Sequence, residues 1–240
     1  MNLTYLFAGM ALFCLACISD NDTGVSPDTD PVTGTDPEKR ASFLSLGDSY
    51  TIGESVAESD RWSVQLAALL RKDGIKVAPP DIIARTGWTT AELTSGIQAA
   101  NNKEKDYKLV SLLIGVNNQY RGQTTERYRT EFKSLLDTSI EFAGGRKQRV
   151  FVLSIPDWGV SPFGEKSDRA KVAREIDAFN AVAKEECIKA GILYIDITPI
   201  SRTGLGDPSM FASDGLHFSG KMYGLWAEKA LPEVKAILSK

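Results

Sequence analysis

The sequence contains one histidine, His217, in 240 residues. With one imidazole and few thiols, only carboxylates remain as ligands, which argues against a metal site. Cysteine is equally scarce: Cys14 and Cys17 stand in an apolar amino-terminal run, and Cys187 is alone in the remainder. The domain therefore has no disulfide available, and Cys187, on the apolar stripe of a helical pattern, reads as a small buried hydrophobe rather than a nucleophile. Such a fold must rest on its core, and a domain of about 200 residues buries roughly 70% of its unfolded-chain surface. No glycine-rich loop has the spacing that cradles phosphates, so no cofactor is expected. A surplus of one charge sign is missing too: 28 basic residues face 31 acidic ones. Most of the imbalance sits in residues 18–40, where six acidic groups face Lys39 and Arg40. The rest is close to neutral, which argues against nucleic acid as a partner.

Long hydrophobic runs are absent except at the amino terminus. Residues Leu3 to Ile18 are almost wholly apolar and uncharged, but shorter than the roughly 20 residues a spanning helix needs. They read as an export signal, although no lysine or arginine precedes them. At its end, Cys14-Leu15-Ala16-Cys17 resembles a bacterial lipobox, with Cys14 where leucine is usual. The expectation is an export signal over residues 1–17 with lipidation at Cys17. The protein would then be anchored to a membrane only through that lipid, at the outer membrane or cell surface, and otherwise be periplasmic or secreted. Residues 18–40 are rich in Thr, Asp, Pro, Ser and Gly and have almost no large apolar side chain. They cannot offset the entropy of ordering and are expected to form a flexible acidic tether.

From residue 41 to 240, apolar runs alternate with helical patterns. The runs are Ala41 to Leu46, Asp81 to Ala84, Tyr107 to Ile114, Val150 to Ile155 and Ile192 to Ile197. Most are continuous rather than alternating, as in strands covered on both faces, so the sheet should be parallel and five-stranded. Amphipathic helices are expected near Arg61 to Lys72, near Thr90 to Ala100, from a cap at Thr124 to Gly144-Gly145, and up to Gly191. A last one runs from Gly220 to Leu238, with Pro232 kinking or briefly interrupting it. The alternation predicts one three-layer α/β/α domain.

Ligands in such sheets bind beyond the carboxyl ends of the strands. The loops there hold Gly47-Asp48-Ser49, Arg85-Thr86-Gly87-Trp88, Gly115-Val116-Asn117-Asn118-Gln119-Tyr120, Pro156-Asp157-Trp158-Gly159, and the stretch leading to Asp214 and His217. Gly-Asp-Ser is by itself ordinary turn chemistry. A serine at a strand end becomes a nucleophile when a base takes its proton, and the usual base is a histidine oriented by a carboxylate. His217 is the one candidate base. Asp214, three residues before it, is favoured as its carboxylate over the rival Asp157, and Asp48 reads as a loop-organising acceptor. A histidine base must be neutral to accept the proton, so activity should fall on acidification. Trp88, Tyr120 and Trp158 are candidate walls of an acyl or sugar pocket, or else caps on the core.

Taken in order, Gly47-Asp48-Ser49, Gly87, Gly115-Val116-Asn117 and Asp214-Gly215-Leu216-His217 resemble the four blocks of the SGNH hydrolases, also called the GDSL esterase and lipase family. The resemblance covers nearly all of residues 41–240. It implies a flavodoxin-like fold and hydrolysis of carboxylic esters, on small molecules or glycans, through an acyl-enzyme. By position it implies Ser49 as nucleophile, His217 as base and Asp214 as its orienter, with Ser49, Gly87 and Asn117 forming the oxyanion hole. Two positions depart from the family pattern: Asn118 follows Asn117 where aspartate is frequent, and Phe218 follows His217 where proline is common. A carbohydrate O-deacetylase and a glycan-binding surface lipoprotein without chemistry are the alternative readings.

Overall fold

The computed structural model describes residues 40–239. The expected export signal, the expected lipidation at Cys17 and the expected tether up to residue 39 lie outside the described residues. Five strands, β1 (Phe43–Gly47), β2 (Asp81–Ala84), β3 (Leu109–Leu113), β4 (Val150–Leu153) and β5 (Leu193–Ile195), form one sheet in the order β2-β1-β3-β4-β5. All four pairings are parallel. The continuous apolar runs mark the interior strands: β1, β3 and β4 are buried throughout, while β2 and β5 at the edges are partly exposed.

The strands are shorter than the apolar runs because side chains capture backbone groups at their ends. The carbonyl of Ile114 accepts from the Tyr128 hydroxyl at 3.0 Å. Both backbone groups of Ile155 are taken by the amide of Asn180, at 2.9 and 3.0 Å. Such bonds satisfy buried polar groups while ending the ladder.

Among the described residues eight α-helices follow in chain order: α1 (Ser49–Ile52), α2 (Trp62–Lys72), α3 (Thr90–Ala100), α4 (Val116–Tyr120), α5 (Thr125–Phe142), α6 (Arg169–Ala190), α7 (Thr198–Arg202) and α8 (Gly220–Leu238). The five long ones are those the apolar periodicity predicts. Thr89 opens α3 with a capping box completed by Glu92, Thr124 caps α5, and Gly191 ends α6 in the left-handed region, as caps of these types should. Pro232 does not interrupt α8, which continues through it to Leu238. Helices α2 and α8 pack together on one face, where Trp62 meets Phe151 of β4 edge-on at 6.3 Å. Helices α3, α5 and α6 form the other layer, with Tyr128 of α5 4.8 Å from Phe179 of α6. Cys187 is fully buried in α6, and burial pushes its thiol up to about 12, far from a reactive thiolate.

Candidate active site

The chain leaves β1 at Gly47 and turns directly into α1. A Cβ at Gly47 would lie 2.1 Å from Thr51 Oγ1 and 2.5 Å from the Leu113 carbonyl, so the turn is open to glycine alone. Asp48 caps α1, its Oδ1 accepting the Tyr50 N–H at 3.0 Å. It is fully buried, and burial pushes its carboxyl up to about 7 against the lowering pull of backbone N–H groups. Ser49, the first residue of α1, is also buried at 4% exposure and lines a cavity.

That cavity, of about 130 Å³, is lined by Ser49, Tyr50, Val116, Asn117, Tyr120, Trp158, Phe163, Leu216 and His217. Residues from the first, third, fourth and last loops thus meet at one place, and the serine near the start of the domain shares it with the histidine near its end. His217 Nδ1 lies 2.7 Å from Asp214 Oδ2. A carboxylate can only accept at that distance, so the proton sits on Nδ1 and Nε2 keeps its lone pair. Asp214 is itself fastened: Oδ1 accepts from the backbone N–H groups of Leu216 and His217, both at 2.9 Å. Its Oδ2 also accepts from the Ser55 hydroxyl at 2.7 Å. Partial burial works to raise its carboxyl, but the bonds from Ser55, His217 and the backbone outweigh it and hold the group well below the usual carboxylate range.

The rival carboxylate is occupied elsewhere. Asp157, also buried, accepts from Arg202 Nε and from the Gly159 N–H, each at 2.9 Å. The Tyr50 ring packs on His217 with centroids 5.5 Å apart, which fixes the imidazole from the other side.

Asn117, the second residue of α4, lines the cavity and donates from Nδ2 to the Trp88 carbonyl at 2.9 Å. One N–H of the amide is thereby used and the other is free to face a ligand. Gly87 precedes Trp88 with φ +83°, and its carbonyl accepts from Arg121 at 2.6 Å. It is not among the residues lining the cavity. Of the two readings open for Trp88, pocket wall or core cap, the packing matches the second: its ring lies against Gly96 of α3, where an added Cβ would come within 2.0 Å of it, and it does not line the cavity. The indole is packing the second loop onto α3. Tyr120 and Trp158 do line the cavity, with their rings edge-on at 5.3 Å.

The departure at Asn118 leaves the loop well supported. Its Oδ1 accepts the Thr90 N–H at 3.1 Å, and its Nδ2 donates to Thr90 Oγ1 at 2.6 Å and to Gln123 Oε1 at 2.9 Å. An amide can both donate and accept here, where a carboxylate could only accept. Phe218 is likewise structural, buried between Phe211 at 5.2 Å and Trp226 at 5.3 Å. Phe163, Gln119 and Ser55 are features of the site that no motif marks.

A serine and a carboxylate-held imidazole thus share one cavity at the carboxyl edge of a parallel α/β sheet. Over residues 45–225 the chain matches the GDSL-like Lipase/Acylhydrolase family, and it belongs to that family of esterases and acylhydrolases. No curated protein matches the chain. Among solved structures, the chain is similar to TesA at 20% identity and a TM-score of 0.63, over 82% of this chain and 99% of that one. It is also similar to the psychrotrophic esterase EstA from Pseudoalteromonas sp., solved with monoethylphosphonate as inhibitor, at 15% identity and a TM-score of 0.62 over 83% and 100%. A variant of the acetyl xylan esterase Axe2 from Geobacillus stearothermophilus matches at 20% identity and a TM-score of 0.59 over 82% and 96%. These likenesses establish the fold, a five-stranded parallel α/β sheet shared with SGNH-type hydrolases.

Proposed function

We propose that Ser49, His217 and Asp214 are the catalytic residues of this esterase. The observation that carries the reading is that Ser49 and His217 line one cavity while Asp214 holds His217 Nδ1 at 2.7 Å. In this reading His217 Nε2 takes the Ser49 hydroxyl proton as Oγ bonds to the ester carbonyl carbon. The bond from that carbon to the alcohol oxygen then breaks, and the departing oxygen receives the proton from His217. Water repeats the sequence on the acyl-enzyme and releases the acid and the free serine.

Charge developing on the carbonyl oxygen needs fixed donors. The backbone N–H of Ser49 and the free N–H of Asn117 both belong to cavity-lining residues. Gly87 is assigned the third donor on its place beside the Trp88 carbonyl that Asn117 holds. Small-molecule and glycan esters are the substrate classes we assign, since the cavity mouth carries the half-exposed rings of Tyr120 and Phe163. The lipobox-like Cys14-Leu15-Ala16-Cys17 supports export and acylation at Cys17.

A fluorophosphonate probe tests the assignment. The wild-type protein should label at Ser49 and hydrolyse p-nitrophenyl esters, and Ser49→Ala should lose both while keeping its melting temperature. Ester turnover unchanged in Ser49→Ala ends the proposal.

A further inference from the structure

One wall of the cavity is backed by a relay, buried at Trp158 and Gln119, that the triad does not use. Trp158 Nε1 donates to Gln119 Oε1 at 2.8 Å, and Gln119 Nε2 donates to Glu175 Oε2 of α6 at 2.7 Å. The indole N–H can only donate and the ionised carboxylate can only accept, so the middle residue must present an oxygen to one and an NH₂ to the other. Glutamine does so in a single orientation. Gln119 and Trp158 are each only 6% exposed, so an unmade bond here would leave a buried polar group unsatisfied. The relay fixes the angle at which the indole enters the cavity.

The chemistry of the ester decides what meets that ring. Its carbonyl oxygen must turn toward Asn117, and its leaving oxygen must turn toward His217, which returns the proton. Phe163 is tied to the His217 loop by its N–H to the Gly215 carbonyl at 2.9 Å. Trp158 is tied instead to α4, the helix of Asn117, through Gln119. Trp158 is thus anchored to the helix that carries Asn117. The whole cavity, at about 130 Å³, is slightly smaller than an engineered cavity of about 150 Å³ that accommodates benzene.

Taking Ser49 as the nucleophile proposed above, we infer that the acyl chain runs toward Trp158, that the indole restricts the site to short acyl groups, and that Gln119 and Glu175 are positioning residues that hold its ring. A longer chain must displace the indole or leave the site.

The test is kcat/KM on p-nitrophenyl acetate, butanoate and octanoate for the full domain, with fluorophosphonate labelling run in parallel. The wild type should prefer acetate or butanoate over octanoate by more than about tenfold, since even one misfitted methylene costs that much. Trp158→Ala should raise octanoate relative to butanoate by about tenfold or more. If Trp158→Ala fails to fold, Trp158→Phe removes the N–H with little loss of bulk and should weaken the short-chain preference. Gln119→Leu should raise KM for butanoate and blunt the preference. Gln119→Glu alone should do the same, because its carboxylate faces Glu175. Combining it with Glu175→Gln rebuilds the relay, with Trp158 still donating to position 119 and only the bond between 119 and 175 reversed, and should restore the wild-type profile, which a merely structural role would not require. A wild type that labels at Ser49 but prefers octanoate overturns the chain-length limit and leaves the serine assignment standing. A wild type that does not label overturns the serine assignment itself. A double exchange that folds but does not recover the profile overturns the positioning role.

Discussion

Asn117 Nδ2 donates to the backbone carbonyl of Trp88 across 2.9 Å, joining the loop after β3 to the loop after β2. One amide thus ties the cavity-lining α4 to the loop behind it with one hydrogen and offers the other to a ligand. Asn117→Ala is expected to lower kcat about a hundred- to a thousandfold, the usual loss of one oxyanion donor. KM should change far less. Steady-state kinetics on a short-chain ester measure both, and a wild-type kcat in the variant would remove Asn117 from the oxyanion hole.

The Asp214 carboxylate is held by Ser55 as well as by His217. Ser55 adopts φ +64°, a conformation that is uncomfortable for any residue with a Cβ. Ser55→Gly should therefore keep or slightly raise the melting temperature while lowering kcat by about tenfold or more, the worth of one hydrogen bond to a charged group. Opposite signs in stability and activity are the signature to look for. Asp214→Asn should be far more severe, about a thousand- to ten-thousandfold in kcat, because it permits the wrong imidazole tautomer.

Asp48 makes the stability depend on pH. Its carboxyl is raised from 3.8 to about 7 by burial, so between those values the folded chain holds a proton that the unfolded chain has released. Stability from this group is full below about pH 4, declines as pH rises, and is lost above about pH 7. Asp48→Asn keeps an acceptor for the Tyr50 N–H without the charge. It should stabilise the protein at pH 8 relative to pH 5 by more than about 1 kcal/mol, the worth of one pKa unit. Urea midpoints of both proteins at the two pH values decide it, and an equal difference at both would mean Asp48 does not titrate there.

Lipidation is checked in a bacterial host grown with labelled palmitate. The full chain should incorporate label and sediment with membranes, and Cys17→Ala should do neither. Label retained by Cys17→Ala would place the acyl group elsewhere.

Strands and long helices were legible because burial on both faces, or on one stripe, writes its period directly into the chain. The loop blocks were legible for a different reason: glycines such as Gly47 and Gly115 are forced by close approach, the latter by Tyr128 at 2.8 Å from where a Cβ would stand. What could not be read depends on neighbours distant in sequence. Trp88 looks like a pocket aromatic until α3 offers it Gly96. Gln119 is an ordinary polar residue until the fold brings Trp158 and Glu175 to its two ends. Ser55 lies 159 residues from Asp214, and no local pattern announces that bond. The short helices α1 and α4 are too brief to show a period, and their caps and contacts, not their propensity, define them.

With β1 seated between β2 and β3, the chain departs to one side after the first strand and to the other after the second. The crevice where Ser49 and Asn117 meet is consequently a product of winding order, and no core volume had to be given up to make it. The segments around Trp158, Phe163 and Leu216 merely rest on that crevice. A descendant of this chain could exchange one ester for another by rewriting those rims while every strand stayed in register.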